Sequence, residues 1–278
     1  MTNKNIVLFT CTYPYIMEGN AEATILNALI PILSQVFNKI IIVPTCTGCY
    51  KGDLPPNVYI EESLTKSMSN RLLSKFYGIF SFEVLHEFKS HFPCKRLLSL
   101  IKELIIYQGD SRIVEKWCCK HLKKMQLSSA ETVLYSFWFD AKTLGVSKFG
   151  KRQGYRIVTS AHGYDLFEFR HPHLAIAFRR YAMHLVDELY PVSRWGTEYL
   201  ASRYPTFKNK IKTFLMGTLN PGFRCSYSSD GILRILSVSR IDPVKRLELI
   251  LDAVIIFATR FPDKKIEWNH IGEGRELK

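Results

Sequence analysis

The 278 residues include no apolar run near the roughly 18 that a membrane-spanning helix requires, and the first residues lack the charged start, apolar stretch and cleavage site of a secretory leader. A folded chain that stays in the cytoplasm is expected from both absences. Cysteine is sparse and odd in number at 7. Because Cys11 and Cys225 sit in apolar or strand-like contexts, reduced thiols are expected rather than a disulfide framework. No GxGxxG follows the first apolar segment, which disfavours a dinucleotide oxidoreductase. Acidic residues are in deficit as well, with 25 Asp and Glu against 38 Lys and Arg and a formal charge of +13. An anionic partner follows: nucleic acid, phospholipid headgroups or a phosphorylated substrate.

The distribution of the basic residues separates these partners. From Lys66 to Lys124 they alternate with aliphatics and aromatics (Arg71, Leu72, Leu73, Lys75, Phe76; Lys95, Arg96, Leu97, Leu98). That is the pattern of basic amphipathic helices able to lie on an anionic membrane surface, or of ordinary helices with a solvated basic face. No nucleic-acid module is recognisable, so nucleic acid is not expected as a partner.

Apolar segments alternate with helical periods along the chain. Ile6 to Phe9, Ile40 to Val43, Val133 to Trp138, Tyr155 to Ala161 and Glu188 to Val192 read as strands. Helical spacing runs from Ala21 through Leu33, from Leu174 to Val186, and from Arg194 to Arg203 behind a Ser193 cap. Strands that are apolar throughout fit a parallel sheet buried on both faces. Around Gly217 to Asp230 the composition turns to Gly, Pro, Asn and Ser, a linker signal. A fresh strand, loop and helix follow: Leu233 to Ser239, then Leu247 to Phe257 at helical spacing, and then the strand-like Ile266 to Ile271. The expected fold class is α/β with two Rossmann-like domains, residues 1–216 complete and 217–278 a linker and the start of a second.

Ligands of open parallel sheets gather beyond the carboxyl ends of the strands. Arg240 to Arg246, RIDPVKR, lies at such an end, where Arg240 and Lys245 would flank a helix amino terminus that favours an anion; a solvated basic turn is the alternative. Ser160 to Asp165, SAHGYD, lies at another, and makes His162 and Asp165 candidate catalytic residues, with the imidazole able to contact a sugar hydroxyl or a departing diphosphate. In the first loop, Gly19 and Asn20 would bring backbone N–H groups to a ligand. Gly272-Glu273-Gly274 closes the last strand. Cys46 and Cys49 form a CxxC without a following helix, and a metal site joining them to Cys118, Cys119 and His121 competes with inert thiols. Arg170, His171, His173, Arg179 and Arg180 lack a companion carboxylate, and Pro172 opens what looks like a helix, so a solvated or acceptor-facing basic surface is expected there.

Taken in order, YPYIMEGNAEA, SAHGYD, SVSRIDPVKR and HIGEGREL resemble the motif series of glycosyltransferase family 4. The resemblance implies a GT-B fold and retaining transfer of a sugar from a nucleotide diphosphate sugar, without cofactor or metal. The implied acceptor is a glycan or lipid-linked molecule of surface polysaccharide or lipopolysaccharide synthesis, met at the anionic inner face of the membrane. It assigns the donor diphosphate to Arg240 and Lys245, the donor sugar to His162, the neighbourhood of the base to Gly272, Glu273 and Gly274, and acceptor and phosphate contacts to Gly19. Two departures stand out. Gly19-Asn20 replaces the usual paired glycines, and the family's Glu-x7-Glu segment would lie beyond Lys278, so the chain as given is expected to lack transferase activity.

Overall fold

The structure, a computed structural model, describes residues 2–15, 22–49, 53–90, 97–217 and 220–274 except 221, 225 and 227. Two compact units divide the chain, Met1–Leu219 and Asn220–Lys278. In the first unit, strands β1 (Thr2–Thr10), β2 (Phe37–Pro44), β3 (Val58–Ile60), β4 (Thr132–Ser136), β5 (Arg156–Ala161) and β6 (Glu188–Pro191) form one sheet. Its order is β3-β2-β1-β4-β5-β6, and every pairing is parallel. The chain builds outward from β1 in one direction and returns to continue from β4 in the other. The crevice above β1 and β4 is therefore the topological switch point.

Alternation along the strands explains why they carry no polar face. Ile6, Leu8, Ile40 and Ile42 join Leu26 and Ile30 of helix α1 (Glu22–Val36) in one cluster. Their neighbours Val7, Phe9, Ile41 and Val43 point the other way, onto Val114 and Trp117 of α5 (Leu97–Lys124) and Val146 and Phe149 of α6 (Ala141–Gln153). Each such fully buried side chain contributes roughly 1.5–3 kcal/mol. A third cluster gathers Phe139, Leu166, Phe178, Leu189 and Leu200 around β5 and β6. Capping fixes where helices start and stop. Asp140 accepts the Lys142 N–H at the head of α6, and Gly154, at φ 74°, ends it. Ser193 Oγ accepts from Gly196 N at 3.0 Å and starts α8 (Arg194–Arg203).

Between β3 and β4 the chain forms α2 (Ser63–Ser69), α3 (Arg71–Ile79), α4 (Phe82–Ser90) and α5. Leu72, Phe76, Ile79, Phe80, Phe82 and Leu85 of the α3–α4 segment are exposed. Among the described residues no helix is long and apolar enough to cross a membrane. The helix expected over Leu174 to Val186 is present only from Arg179, as α7 (Arg179–Leu185), and its first five residues are loop. Leu174 at φ 52° and Phe178 at φ 53° are left-handed and interrupt it, and Pro172 lies in a turn. The apolar spacing there serves a buried loop, since Ile176, Ala177 and Phe178 are all core residues.

The second unit holds β7 (Leu233–Val238), α9 (Leu247–Arg260) and β8 (Ile266–Ile271). The two strands pair in parallel from Leu233↔Ile266 to Val238↔Ile271. The motif is a single strand-helix-strand crossover of a Rossmann-like sheet.

Candidate functional site

At the switch point, two buried carboxylates tie the ends of three strands together. Glu22, the first residue of α1, is 0% exposed. Its Oε1 accepts from Cys11 N at 2.8 Å and Trp138 Nε1 at 2.7 Å. Its Oε2 accepts from Thr12 N at 2.5 Å, Thr12 Oγ1 at 2.9 Å and Tyr13 N at 2.9 Å. The loop after β1 is thus wrapped on one carboxylate that also holds the loop after β4. Asp165 repeats the device one strand over: it accepts from Phe139 N at 2.9 Å, His162 N at 2.8 Å and Gly163 N at 3.2 Å. Burial opposes the charge on Asp165, but the His162 side chain and these N–H groups outweigh it and hold the carboxyl below its ordinary range.

His162 stands where these loops meet. Its ring centroid lies 4.5 Å from that of Phe137 and 4.3 Å from that of Trp138. Nδ1 is 3.5 Å from Asp165 Oδ2, within ion-pair range, and neither ring nitrogen has a hydrogen-bond partner. The imidazole is therefore fixed by packing, with polar capacity to spare. The Asp165 oxygens are occupied by backbone donors inside the protein.

Lys142, nearly buried, pairs with Asp140. Burial alone would lower its pKa; the Asp140 carboxylate, followed by Cys11 and Glu22, raises it above the ordinary lysine value. Its side chain lines two cavities. One of about 640 Å³ is walled by Lys102, Tyr107, Asp110, Tyr164, Asp165 and His171, among others. The other, of about 930 Å³, opens beside Cys11, Thr45, Cys46 and Lys66.

The basic cluster of residues 170–180 is not a solvated surface throughout. Arg170 and Arg180 are exposed, but Arg179 and His171 are buried. The Arg179 guanidinium lies 4.0 Å from the Phe139 ring centroid and donates to the Asp165 carbonyl. His171 Nε2 meets the Tyr164 carbonyl at 2.6 Å, and His173 Nε2 meets Ser99 Oγ at 3.1 Å. Cys118 is buried, whereas Cys119 and Cys49 are exposed. Among the described residues no group of three or more His, Cys, Asp or Glu side chains is placed to hold a metal. Gly19 and Asn20 lie outside the described residues.

In the second unit the two motifs interlock. Beyond its strand partners, Ser239 N donates to Ile271 O at 3.1 Å and Ile241 N to Glu273 O at 2.9 Å. Gly272 has φ 154°, and a Cβ there would stand 1.8 Å from the Ser239 carbonyl oxygen; at Gly274 it would stand 1.9 Å from that of Ile241. Only glycine lets the two chains run this close. Arg240 and Lys245 are exposed above this backbone pair, Arg240 Nη2 lying 3.2 Å from Asp242 Oδ2. The helix expected near Lys245 starts two residues later. Pro243–Lys245 is a single 3-10 turn capped by Asp242, and Arg246 at φ 53° redirects the chain into α9.

Sequence reading missed Glu22, Trp138, Asp140 and Lys142. The N-cap position of Asp140 is the one local signal among them; the partners of Glu22 lie up to 116 residues away.

No family model and no curated protein matches this sequence. Solved structures do match, at the level of fold. An E. coli trehalose-6-phosphate structure bound with UDP-2-fluoro glucose aligns with TM-score 0.57 and 14% identity, over 98% of this chain and 65% of that one. A trehalose-6-phosphate synthase studied for glycosyl transfer with retention aligns with TM-score 0.54 and 14% identity, over 97% and 64%. The lipopolysaccharide outer core galactosyltransferase WaaB aligns with TM-score 0.53 and 11% identity, over 98% and 62%. The chain thus spans slightly under two thirds of the length of these structures. Its fold is that of GT-B glycosyltransferases, with one complete and one partial Rossmann-like domain.

Proposed function

We propose that this chain belongs to a family 4 glycosyltransferase that moves a sugar, with retention, from a nucleotide diphosphate sugar to a glycan or lipid-linked acceptor in surface polysaccharide or lipopolysaccharide synthesis. The observation that carries the reading is His162: an imidazole at the carboxyl end of β5, locked between Phe137 and Trp138, with Nδ1 facing the Asp165 carboxylate and Nε2 without a hydrogen-bond partner. On this reading it contacts the donor sugar. Arg240 and Lys245 hold the diphosphate and stabilise its charge as it leaves, the electrostatic contribution that dominates such transfers. No metal is assigned a step, because the two cations supply that charge. Gly272 to Gly274 pass near the base, and the 640 Å³ cavity beside Lys142 and Tyr164 receives the acceptor. Gly19 and Asn20 are assigned, on the same reading, to contacts with the acceptor and the donor phosphate. The family's Glu-x7-Glu segment is not assigned within these residues.

The exposed apolar side chains from Leu72 to Leu85, close to the exposed cations Lys66 and Lys102, support docking on the anionic inner face of a membrane, where a lipid-linked acceptor resides. Flotation with vesicles tests this: binding indifferent to anionic lipid content counts against it. For the donor site, calorimetry with UDP and with ADP is the direct test. Lys245→Ala is expected to weaken binding about 10- to 100-fold, from a charge-assisted hydrogen bond of roughly 1.5–3 kcal/mol. Unchanged affinity sinks the phosphate role. His162→Ala is expected to abolish donor turnover while UDP binding persists.

A further inference from the structure

One pair of nucleophiles takes no part in this reading. Cys11 follows β1 and Cys46 follows β2, on adjacent strands, with Cys46 N donating to Cys11 O at 2.9 Å. The strands last pair at Thr10 and Pro44, and beyond that point the Cys46 N–H still reaches the Cys11 carbonyl, so the two backbones remain one hydrogen bond apart, as close as the roughly 4.4–6.8 Å Cα separation of a disulfide requires. Each thiol influences the ionisation of the other. Both are partly exposed and both line the 930 Å³ cavity, so a small oxidant reaches them.

We propose that Cys11 and Cys46 are an oxidation site, at which a peroxide converts the two thiols into an intramolecular disulfide that clasps the end of β1 to the end of β2. The Cys46 thiolate attacks one peroxide oxygen, breaking the O–O bond; the Cys46 sulfur becomes a sulfenic acid, and hydroxide leaves. The Cys11 thiol then attacks the sulfenic sulfur, forming the S–S bond, and its proton departs with the sulfenic hydroxyl as water. Two electrons pass from the dithiol to the peroxide, which ends as one water and one hydroxide, the latter becoming the second water with the proton that Cys46 released on ionising.

The surroundings set which cysteine attacks. The Cys11 hydrogen bond favours the Cys46 thiolate against partial burial, Thr45 and the Lys142 charge assist and Glu22 opposes, and the Cys46 thiol is lowered to about 6. Cys11 moves the opposite way, raised by its bond to Cys46 and by burial, as suits a resolving thiol. Other charged groups on the cavity wall are Glu61, Glu62, Lys66 and Asp110. The clasp would grip the loop whose Cys11 N is held by Glu22, next to the switch point.

Peptide mapping after treatment with stoichiometric hydrogen peroxide tests the proposal, because trypsin separates the cysteines. Cys11 falls in Asn5 to Lys39 and Cys46 in Ile40 to Lys51, together with Cys49. The expected product joins these two peptides, forms undiminished in Cys49→Ser, and is absent in Cys46→Ser. In Cys11→Ser, Cys46 is expected to stop at sulfenic or sulfinic acid. Iodoacetamide labelling of Cys46 is expected to rise through about pH 6. A bridge confined to Ile40 to Lys51, which would be Cys46 to Cys49, overturns the proposal. So does a Cys46 that oxidises no faster than exposed Cys49.

Discussion

The first unit and the second begin from the same kind of segment, a short run of aliphatic residues ahead of a polar loop, and treat it differently. In β1, Val7, Leu8 and Phe9 are all 0% exposed, covered on both faces by helices. In β7, Leu236 is 63% and Val238 70% exposed, and α9 buries no residue. The loops differ in parallel. Those of the first unit are bound by buried carboxylates reaching across the sheet, whereas that of the second is bound to its neighbour by backbone hydrogen bonds and the His270 imidazole, which meets the Ser239 carbonyl at 3.0 Å. An apolar strand records a demand for burial; whether it is met depends on how many elements are assembled around it. Amide hydrogen exchange is expected to follow the same division, slowest in β1 and β4 and fastest in β7 and β8.

Substitutions can break or sharpen that contrast. The largest effect is expected from Glu22→Ala, which strands buried donors from three residues of one loop and the Trp138 indole of another. Loss of a buried charged hub costs about 3–5 kcal/mol, roughly 10 °C or more in Tm for a unit of this size. A Tm change of only a few degrees would show that the loops do not depend on it. Next comes Asp165→Asn, with a loss of about 2–3 kcal/mol at neutral pH, since an amide nitrogen would face backbone donors. Asp165 has a depressed pKa in the folded state, so its contribution is fully present above the ordinary Asp value and disappears as pH falls through the folded one. The gap between parent and variant in urea unfolding should accordingly narrow as the pH is lowered below about 4.

Gly272→Ala probes the other unit. Its Cβ would meet the Ser239 carbonyl, and backbone strain of about 1–3 kcal/mol should shift the Trp268 signal, whose indole donates to Ser237 Oγ, while unfolding of the first unit stays unchanged. Loss in both units would show that the two unfold together. Ser193→Ala should have the smallest effect, about 1 kcal/mol for a lost helix cap, seen as a small Tm decrease with nucleotide binding intact.

Much of the fold was legible because its signals are local. Buried parallel strands appear as unbroken aliphatic runs, and Ser193 announces α8 one residue ahead. β3 was missed because three residues carry no period. The segment from Leu174 was read as helix because its apolar residues recur at helical intervals, yet two left-handed residues turn it into a packed loop. His162 was legible as a histidine beside a glycine at a strand end. Glu22 looked like any acid in a first helical turn; its role arises from partners brought to it by the sheet. The register of Gly272 and Gly274 against Ser239 and Ile241 is likewise a property of paired strands rather than of either sequence.

That register has a consequence for redesign. Residues 239–246 and 272–274 meet backbone to backbone, so neither can be exchanged alone for a segment from another protein unless it preserves glycine at the two crossings. A chimera that replaces either segment would have to transplant both and keep the strand offset between them. In heritable terms, the two short stretches constitute one module, and a substitution that displaces either should be rescued only by a matching change in the other.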